Sequence, residues 1–248
     1  MRVAALYDIH GNLPALEAVL ADVRELGVDK IVVGGDVFPG PLAIQCLDLL
    51  LDLDTEVHFI RGNGDRVVLE QSIGIDPAEM PEPWREVIRW NGLQLLERHV
   101  EALTAWPLAC SLTIGGLGKV LFCHATPRND MDVFTRLSES DKLTEIFDSV
   151  DASSVVCGHT HMQFDRSISG KRVINAGSVG MPFAEPGAYW LVLDDHPALK
   201  RTAYDYSEAA ERIRQSGYPQ AEQFASANVL APPTEQQMLE AYTKVGLK

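Results

Sequence analysis

Short apolar runs alternate with amphipathic segments along the first part of the chain. Val3 to Tyr7 is typical of a buried strand, and Leu13 to Leu26 has apolar residues at three- and four-residue spacing, which predicts a helix. Asn12 is placed to cap that helix and Gly27 to end it. The same order recurs where "KIVVGGD" is followed by "PLAIQCLDLLLDL". This alternation predicts an α/β protein with parallel strands joined by helical crossovers.

The pattern changes in the middle of the chain. A third apolar run, "EVHFIRGNGD", ends in a predicted loop, and residues 67–106 then combine an acidic, proline-rich stretch with a helical pattern. We interpret 67–106 as a helical insert over one side of the core. The second half returns to strands, with a hairpin turn predicted at Ser169-Gly170. We therefore expect a domain over 1–206 and a helical C-terminal extension, 207–248, packed on the same domain.

Composition limits the classes of partner. The chain has 35 acidic residues against 21 Lys and Arg, a net charge of −14, which argues against binding along extended nucleic acid. A small phosphorylated substrate is still compatible, because bound metal cations reverse the charge locally. Four scattered cysteines are expected to be free thiols. No apolar run approaches the roughly 18 residues of a membrane span, so we expect a soluble, cytoplasmic protein. The oligomeric state is left open.

Five predicted strand ends carry residues that bind metals. Because loops at the carboxyl ends of parallel strands collect at one edge of a sheet, these side chains are expected to converge. Residues i and i+2 of an extended segment project to the same side, so the pair in "DIH" and the pair in "HTH" can each face one pocket. The candidate ligands are Asp8, His10, Asp36, Asn63, His124, His159 and His161.

Imidazole and carboxylate ligands together favour Mn, Fe, Co, Ni or Zn over Ca or Mg. Asp36, with two carboxylate oxygens, can bridge two ions. Two divalent ions about 3.5–4 Å apart activate water and neutralise a phosphoryl group. We expect two divalent ions, with manganese as the first choice and Fe, Ni, Co, Zn or Mg as alternatives. Each motif alone has an ordinary structural explanation, such as a strand-to-helix turn for "DIHGN", but their joint occurrence favours a metal site.

In order and type these segments resemble the calcineurin-like metallophosphoesterases, whose pattern is D-x-H, G-D, G-N-H-D/E, H and G-H-x-H. The resemblance extends from Met1 to about Gly180, and the closing "NAGSVG" is similar to small bacterial and archaeal members. It implies a two-sheet β-sandwich flanked by helices, in four α/β/β/α layers, with a dinuclear site between the sheet ends. It also implies a hydroxide between the ions that attacks phosphorus.

The same resemblance implies a division of the ligands between the two ions. Asp8, His10 and His161 would hold the first ion. Asn63, His124 and His159 would hold the second. Asp36 would bridge the two ions.

The sequence departs from the family pattern at Gly64, where the family usually has a histidine thought to protonate the leaving oxygen. Asp65, whose counterpart holds that histidine, remains and is a candidate supporting residue. A positioned acid is typically worth about 10²–10⁴ in rate, so we expect a preference for diesters or anhydrides with good leaving groups. We further expect Gly64 to leave room near phosphorus. If Asp65 is still placed to orient an imidazole, Gly64→His should raise activity on poor leaving groups. The candidates for a substitute acid are His58, His99, Arg66 and Arg128.

Several functions and roles stay open at this point. The leading hypothesis is a metal-dependent phosphoesterase acting on a small phosphodiester or nucleotide-like compound. The alternatives are a nucleoside or dinucleoside polyphosphate hydrolase and, from another class, a non-catalytic metal- or protein-binding module. Arg128 is either a phosphate contact or a solvated loop residue, and Asn12 is either a substrate contact or a helix cap. Asp65 and Arg66 could pair with each other.

Overall fold

A computed structural model describes residues 1–247, so Lys248, the last residue of the predicted extension, lies outside the described residues. Two five-stranded sheets form the centre of the fold. The strands of sheet A are β1 (Val3–Leu6), β2 (Lys30–Val33), β3 (Glu56–Phe59), β9 (Ala188–Leu193) and β10 (Pro197–Thr202). They lie in the order β10-β9-β1-β2-β3. The first three strands are parallel, as predicted, and β9 and β10 add an antiparallel edge.

Sheet B has the order β4-β5-β6-β8-β7. Its strands are β4 (Ala109–Ile114), β5 (Gly118–Cys123), β6 (Ser154–Cys157), β7 (Phe164–Ile168) and β8 (Lys171–Asn175). The predicted hairpin is confirmed: β7 and β8 are antiparallel, and both Ser169 and Gly170 have positive φ, as a tight hairpin turn requires. Strand β4 was not predicted, because it is a partly exposed edge strand without a continuous apolar run.

Helices flank the sheets. The α-helices are α1 (Leu13–Glu25), α2 (Ala43–Leu51), α3 (Asn63–Ser72), α4 (Glu82–Gly92), α5 (Glu97–Ala105), α6 (Ser140–Asp148), α7 (Tyr206–Arg214), α8 (Ala221–Phe224) and α9 (Glu235–Tyr242). Gly115–Leu117 form a 3-10 turn, and Ala225–Leu230 continue α8 as a π-helical stretch. The expected loop after β3 is wrong in one respect: Asn63 to Asp65 form the first turn of α3.

The alternation of side chains in β1 explains the layers. Val3 and Ala5 point between the sheets and join an apolar cluster with Phe122 of β5. Ala4 and Leu6 point the other way, onto the flanking helices. On the far side of sheet B, α6 packs on β6 in a third cluster. The expected α/β/β/α sandwich is confirmed, and the parallel strands of both sheets end in loops that meet at one place.

Segments outside the sandwich pack on its helical side. Val87 of α4 lies in one apolar cluster with Ile213 of α7 and Val229 of the π-helical stretch. The last helix, α9, belongs to a separate cluster that includes Met162 and Phe183. The four cysteines are free, as expected. No helix among residues 1–247 is long and apolar enough to cross a membrane.

Candidate metal centre

The loops after five strands bring all seven candidate ligands together. Asp8 and His10 follow β1, Asp36 follows β2, Asn63 follows β3, His124 follows β5, and His159 and His161 follow β6. Backbone hydrogen bonds join these loops: the N–H of Asp8 donates to Gly35 O at 3.0 Å, and the N–H of Gly158 donates to His124 O at 2.9 Å. The loops are therefore fixed to one another independently of their side chains.

Asp8, His10 and His161 form the first cluster. Their ligand atoms all lie within 4.8 Å of one another. Nε2 of His10 is 3.2 Å from Nε2 of His161, which is 3.4 Å from Oδ1 of Asp8. Two ring nitrogens and a carboxylate oxygen that face one point form a set suited to a divalent transition metal.

Asp36, His124 and His159 form the second cluster, also within 4.8 Å. Nε2 of His124 is 3.5 Å from Oδ2 of Asp36. Oδ1 of Asn63 lies 3.0 Å from Nε2 of His124, and the same amide atom lies 2.9 Å from Nδ1 of His159. If the amide were turned over, its NH₂ group would donate to both ring nitrogens. The oxygen-inward orientation is the one that a cation at this point requires.

Asp36 lies between the two clusters. Its Oδ2 atom is 3.8 Å from Nε2 of His10 in the first cluster and 3.5 Å from Nε2 of His124 in the second. Its other oxygen, Oδ1, accepts a hydrogen bond of 2.7 Å from the N–H of Gly64. Oδ2 is therefore the oxygen of Asp36 that faces both clusters, and Asp36 would be the residue shared by two ions.

Backbone carbonyls orient three of the four imidazoles. Nδ1 of His10 lies 3.2 Å from Pro39 O, and Nδ1 of His124 lies 2.9 Å from Gly34 O. Nδ1 of His161 lies 2.7 Å from Met181 O. A carbonyl can only accept, so each Nδ1 carries a proton, and Nε2 is the ring nitrogen that each residue turns toward the cluster. Such outer hydrogen bonds fix the tautomer and orientation of metal-binding histidines in general.

One oxygen of Asp8 has no partner. Oδ2 accepts a hydrogen bond of 2.8 Å from the N–H of His159, but Oδ1 is completely buried and makes no hydrogen bond among the described residues. Buried polar atoms are almost always paired, and an unpaired buried charge costs several kcal/mol. A cation in the first cluster would compensate this oxygen, so the donor set fits a bound metal.

The ionisation of the cluster depends on the two buried carboxylates. Burial lowers the pKa of the His124 imidazole, but the neighbouring Asp36 carboxylate outweighs this effect and raises the pKa to about 10. Burial and the charge of His124 lower the pKa of His159 to about 4. One imidazole thus holds a proton against Asp36 and the other is neutral. A divalent ion would displace that proton and supply its positive charge.

Five of the candidate ligands have unusual backbone conformations. Among the described residues only six that are not glycine have positive φ, and the sixth is Ser169 of the hairpin. Each left-handed residue costs on the order of 1 kcal/mol, and such strain concentrates at functional sites. The five are Asp8 (φ 53°), His10 (φ 46°), Asp36 (φ 55°), His159 (φ 64°) and His161 (φ 57°).

Two residues that sequence reasoning missed hold these strained loops. The Asn175 amide donates to Gly158 O at 2.6 Å and to Thr160 Oγ1 at 3.0 Å, and so fixes the loop between the two β6 histidines. The Ser178 hydroxyl donates to Asp8 O at 2.7 Å. Both residues are completely buried. Both residues belong to "NAGSVG", the segment similar to small bacterial and archaeal family members. The signal that could have identified them is the presence of Asn and Ser in an otherwise apolar, glycine-containing segment.

Asn12 caps α1 and does not face the cluster. Its Oδ1 accepts from the N–H of Ala15 at 3.2 Å, and its amide donates to Gly180 O and the Tyr204 hydroxyl at 3.0 and 3.2 Å. The residue is completely buried. Capping is therefore confirmed, and the alternative of a substrate contact is wrong.

Asp65 and Arg66 do not pair with each other, contrary to the suggested alternative. The buried Asp65 carboxylate accepts hydrogen bonds from the backbone N–H groups of Asp36, Phe38 and Gly62, at 2.8 to 3.0 Å. Burial and the charge of Asp36 raise its pKa to about 7. Arg66 instead forms an ion pair with Asp130 at 2.7 Å. In this structure Asp65 fastens the Asp36 loop to the start of α3.

The expected room at Gly64 is absent. A Cβ atom on this residue would lie 2.2 Å from Phe38 O and 3.0 Å from both Asp36 Oδ1 and Pro39 Cδ. Backbone atoms, which cannot move aside easily, occupy the space that a larger side chain needs. The expectation that Gly64→His would place an imidazole beside the site is therefore wrong.

The other proposed substitutes for the missing acid are engaged elsewhere. His58 lies 2.9 Å from Glu56 on β3, and the buried His99 lies 3.0 Å from Asp48 of α2. Arg128 donates to Asp132 at 2.7 and 2.9 Å within its own loop. A role in phosphate binding stays a prediction for Arg128.

Comparison with known proteins agrees with the fold. The family model of the Calcineurin-like phosphoesterase superfamily domain matches residues 1–196. Because the match covers most of the chain, the chain belongs to this superfamily.

Individual relatives resemble the chain over nearly its full length. An uncharacterised protein of Methanocaldococcus jannaschii is 28% identical over 239 residues, covering 88% of this chain and 94% of the relative. A hypothetical protein of Pyrococcus horikoshii OT3 has a TM-score of 0.78 at 22% identity, covering 94% of this chain and 99% of its own. A metallophosphoesterase of Sphaerobacter thermophilus has a TM-score of 0.73 at 24% identity, covering 92% of this chain and 99% of its own. At these identities the two solved structures show a shared fold.

We predict that Gly64→Ala destabilises the protein by about 1–3 kcal/mol, the usual range for overpacking a close-packed interior. Gly92→Ala is the control, since its Cβ would meet chiefly the flexible Gln71 side chain at 3.2 Å. Urea unfolding gives both free energies. A Gly64→Ala protein as stable as the Gly92→Ala control would contradict the crowding described at this position.

Proposed function

We propose that the protein is a hydrolase that uses two divalent ions, expected to be manganese, to cleave a small phosphodiester or nucleotide-like substrate. The observation that carries the proposal is the pair of three-residue clusters placed on either side of Asp36. The buried Oδ1 atom of Asp8 also supports it, because this oxygen makes no hydrogen bond within the described residues and a cation would compensate its charge. Family membership supplies the phosphoesterase class.

The residues divide between the two ions as the resemblance implies. Asp8, His10 and His161 would hold one ion, and Asn63, His124 and His159 the other, with Asp36 in common. When bound, the pair of ions would activate water and neutralise the phosphoryl charge. The protein's own contribution is orientation: carbonyl groups fix three imidazoles, and Asp65 fixes the loop of Asp36.

A preference for good leaving groups follows from the composition of the site. Position 64 has no side chain, and of the seven histidines only the four candidate ligands lie in the clusters. His58 and His99 are held by carboxylates of their own. The site thus has no spare imidazole to protonate a leaving oxygen, which favours aryl diesters or phosphoanhydrides over alkyl monoesters.

We predict that the protein with Mn²⁺ hydrolyses bis(4-nitrophenyl) phosphate, and that Asp36→Asn lowers kcat/KM by about 10³-fold. The substitution removes several kcal/mol of charge stabilisation, and each loss of about 1.36 kcal/mol lowers the rate tenfold. Asp165→Asn, which changes an exposed carboxylate paired with Arg172, is the control. Activity that survives both Asp36→Asn and a chelator would contradict the proposal. A silent protein that binds metal would favour the non-catalytic module.

A second prediction concerns the leaving group. Across a series of aryl and alkyl methyl phosphodiesters, log kcat should fall steeply as the pKa of the leaving alcohol rises, because no positioned acid assists its departure. Dinucleoside polyphosphates, measured in parallel, test the anhydride alternative. A flat dependence, or good turnover of plain alkyl monophosphates, would show that another group donates the proton.

A further inference from the structure

The last helix of the chain packs beside the metal centre. The ring of Phe183 stacks on His161, with centroids 4.8 Å apart and planes 23° apart. The ring of Tyr242, at the end of α9, lies with its centroid 6.2 Å from that of Phe183. Leu239 of α9 is buried in one apolar cluster with Phe183 and with Met162, the residue after His161. One wall of the first cluster is thus built on the C-terminal segment.

Several contacts hold α9 in this position. Thr234 and Gln237 form a reciprocal cap at its start: the Thr234 side chain accepts from the N–H of Gln237, and the Gln237 side chain accepts from the N–H of Thr234. Arg136 donates to Glu235 at 2.8 Å and ties the helix to the loop after β5. Leu239 anchors its apolar face. Tyr242 is therefore carried by an element fixed on the sandwich.

The Tyr242 hydroxyl makes no hydrogen bond to protein in the part of the chain that the structure describes. Its oxygen is not fully buried. Burial raises the pKa of the Tyr242 hydroxyl above its ordinary value, and the negative charge of Asp8 adds a smaller increase. The hydroxyl is therefore protonated, and able to donate a hydrogen bond, at neutral pH. The Tyr242 ring packs on Phe183, whose own ring stacks on His161, so a donor without a protein partner among the described residues stands on this wall of the first cluster.

We propose that Tyr242 determines substrate binding at this site: its hydroxyl donates a hydrogen bond to a phosphoryl oxygen, and its ring lines the space for an organic substituent. The inference rests on the proposed function, because it needs a phosphate at the metal centre. Phosphoryl oxygens are charged acceptors, to which a hydrogen bond is stronger than to a neutral group. The site also needs donors for phosphate, since position 64 contributes no side chain.

The test compares three variants in the full-length, Mn²⁺-loaded protein. Tyr242→Phe removes only the hydroxyl, and Tyr242→Ala removes the ring as well. Tyr218→Phe is the matched control. Tyr218 is another C-terminal tyrosine whose hydroxyl makes no hydrogen bond within residues 1–247, but it packs on Trp90 and Phe224 in a different cluster. The readouts are kcat and KM for aryl methyl and dimethyl phosphodiesters, and the Kd of inorganic phosphate by calorimetry.

We expect Tyr242→Phe to raise KM and the Kd of phosphate by about 10-fold, the usual effect of one hydrogen bond to a charged group, at unchanged Tm. Tyr242→Ala should in addition lower the preference for aryl over methyl substituents. Tyr218→Phe should leave both quantities unchanged.

The outcomes separate this inference from the proposed function. If the unaltered protein is active and Tyr242→Phe changes neither KM nor the Kd of phosphate, the role of Tyr242 is overturned while the function stands. If the protein is inactive but binds phosphate, and Tyr242→Phe weakens that binding, the contact stands and hydrolysis is overturned. If the unaltered protein neither hydrolyses a diester nor binds phosphate, both are overturned.

Discussion

Two buried carboxylates, Asp8 and Asp36, face four imidazoles at the meeting point of two sheets, and their negative charge is the constraint on which the site depends. Oδ1 of Asp8 has no hydrogen-bond partner among the described residues, and Asp36 relies on a protonated His124. Leaving buried charge uncompensated costs several kcal/mol. Divalent ions at this site would remove that cost, and folding and metal binding are therefore expected to be coupled.

The remainder of the fold keeps these groups in place against their own preferences. Left-handed backbone at five candidate ligands is unfavourable, so the surrounding loops must hold it. Buried hydrogen bonds do so: Asn175 and Ser178 donate to backbone oxygens of these loops, and Asp65 accepts from the N–H of Asp36. Glycines allow the close approach: a Cβ at Gly158 would lie 2.4 Å from Oδ2 of Asp8, and one at Gly62 would lie 2.2 Å from Oδ1 of Asp36.

Much of this arrangement could be predicted from the sequence, because it follows from short-range pattern. Apolar strands that end in Asp or His place ligands at one sheet edge, and the pattern identified the parallel strands, the helix cap at Asn12 and the hairpin at Ser169. The two-sheet layers were implied by the family resemblance. Edge strand β4 was missed because one of its faces is exposed and it lacks a continuous apolar run. Strand pairing there depends on β5, which local sequence does not reveal.

The error at Gly64 and the unforeseen position of Tyr242 have the same physical origin. The space around Gly64 is filled by Phe38 and Pro39, which approach through the tertiary fold, so a missing side chain did not mean a cavity. The pairing of Arg66 with Asp130 joins residues 64 positions apart. Tyr242 reaches the His161 wall from the far end of the chain. Contacts of this kind are set by packing, and no local motif encodes them.

Anomalous X-ray scattering at the manganese edge, from crystals of the Mn²⁺-equilibrated protein, tests the central claim most directly. The account predicts two peaks separated by about 3.5–4 Å, one among Asp8, His10 and His161, the other among Asn63, His124 and His159, with Oδ2 of Asp36 between them. No peak at these residues, or a single peak that Asp36 does not contact, would contradict it.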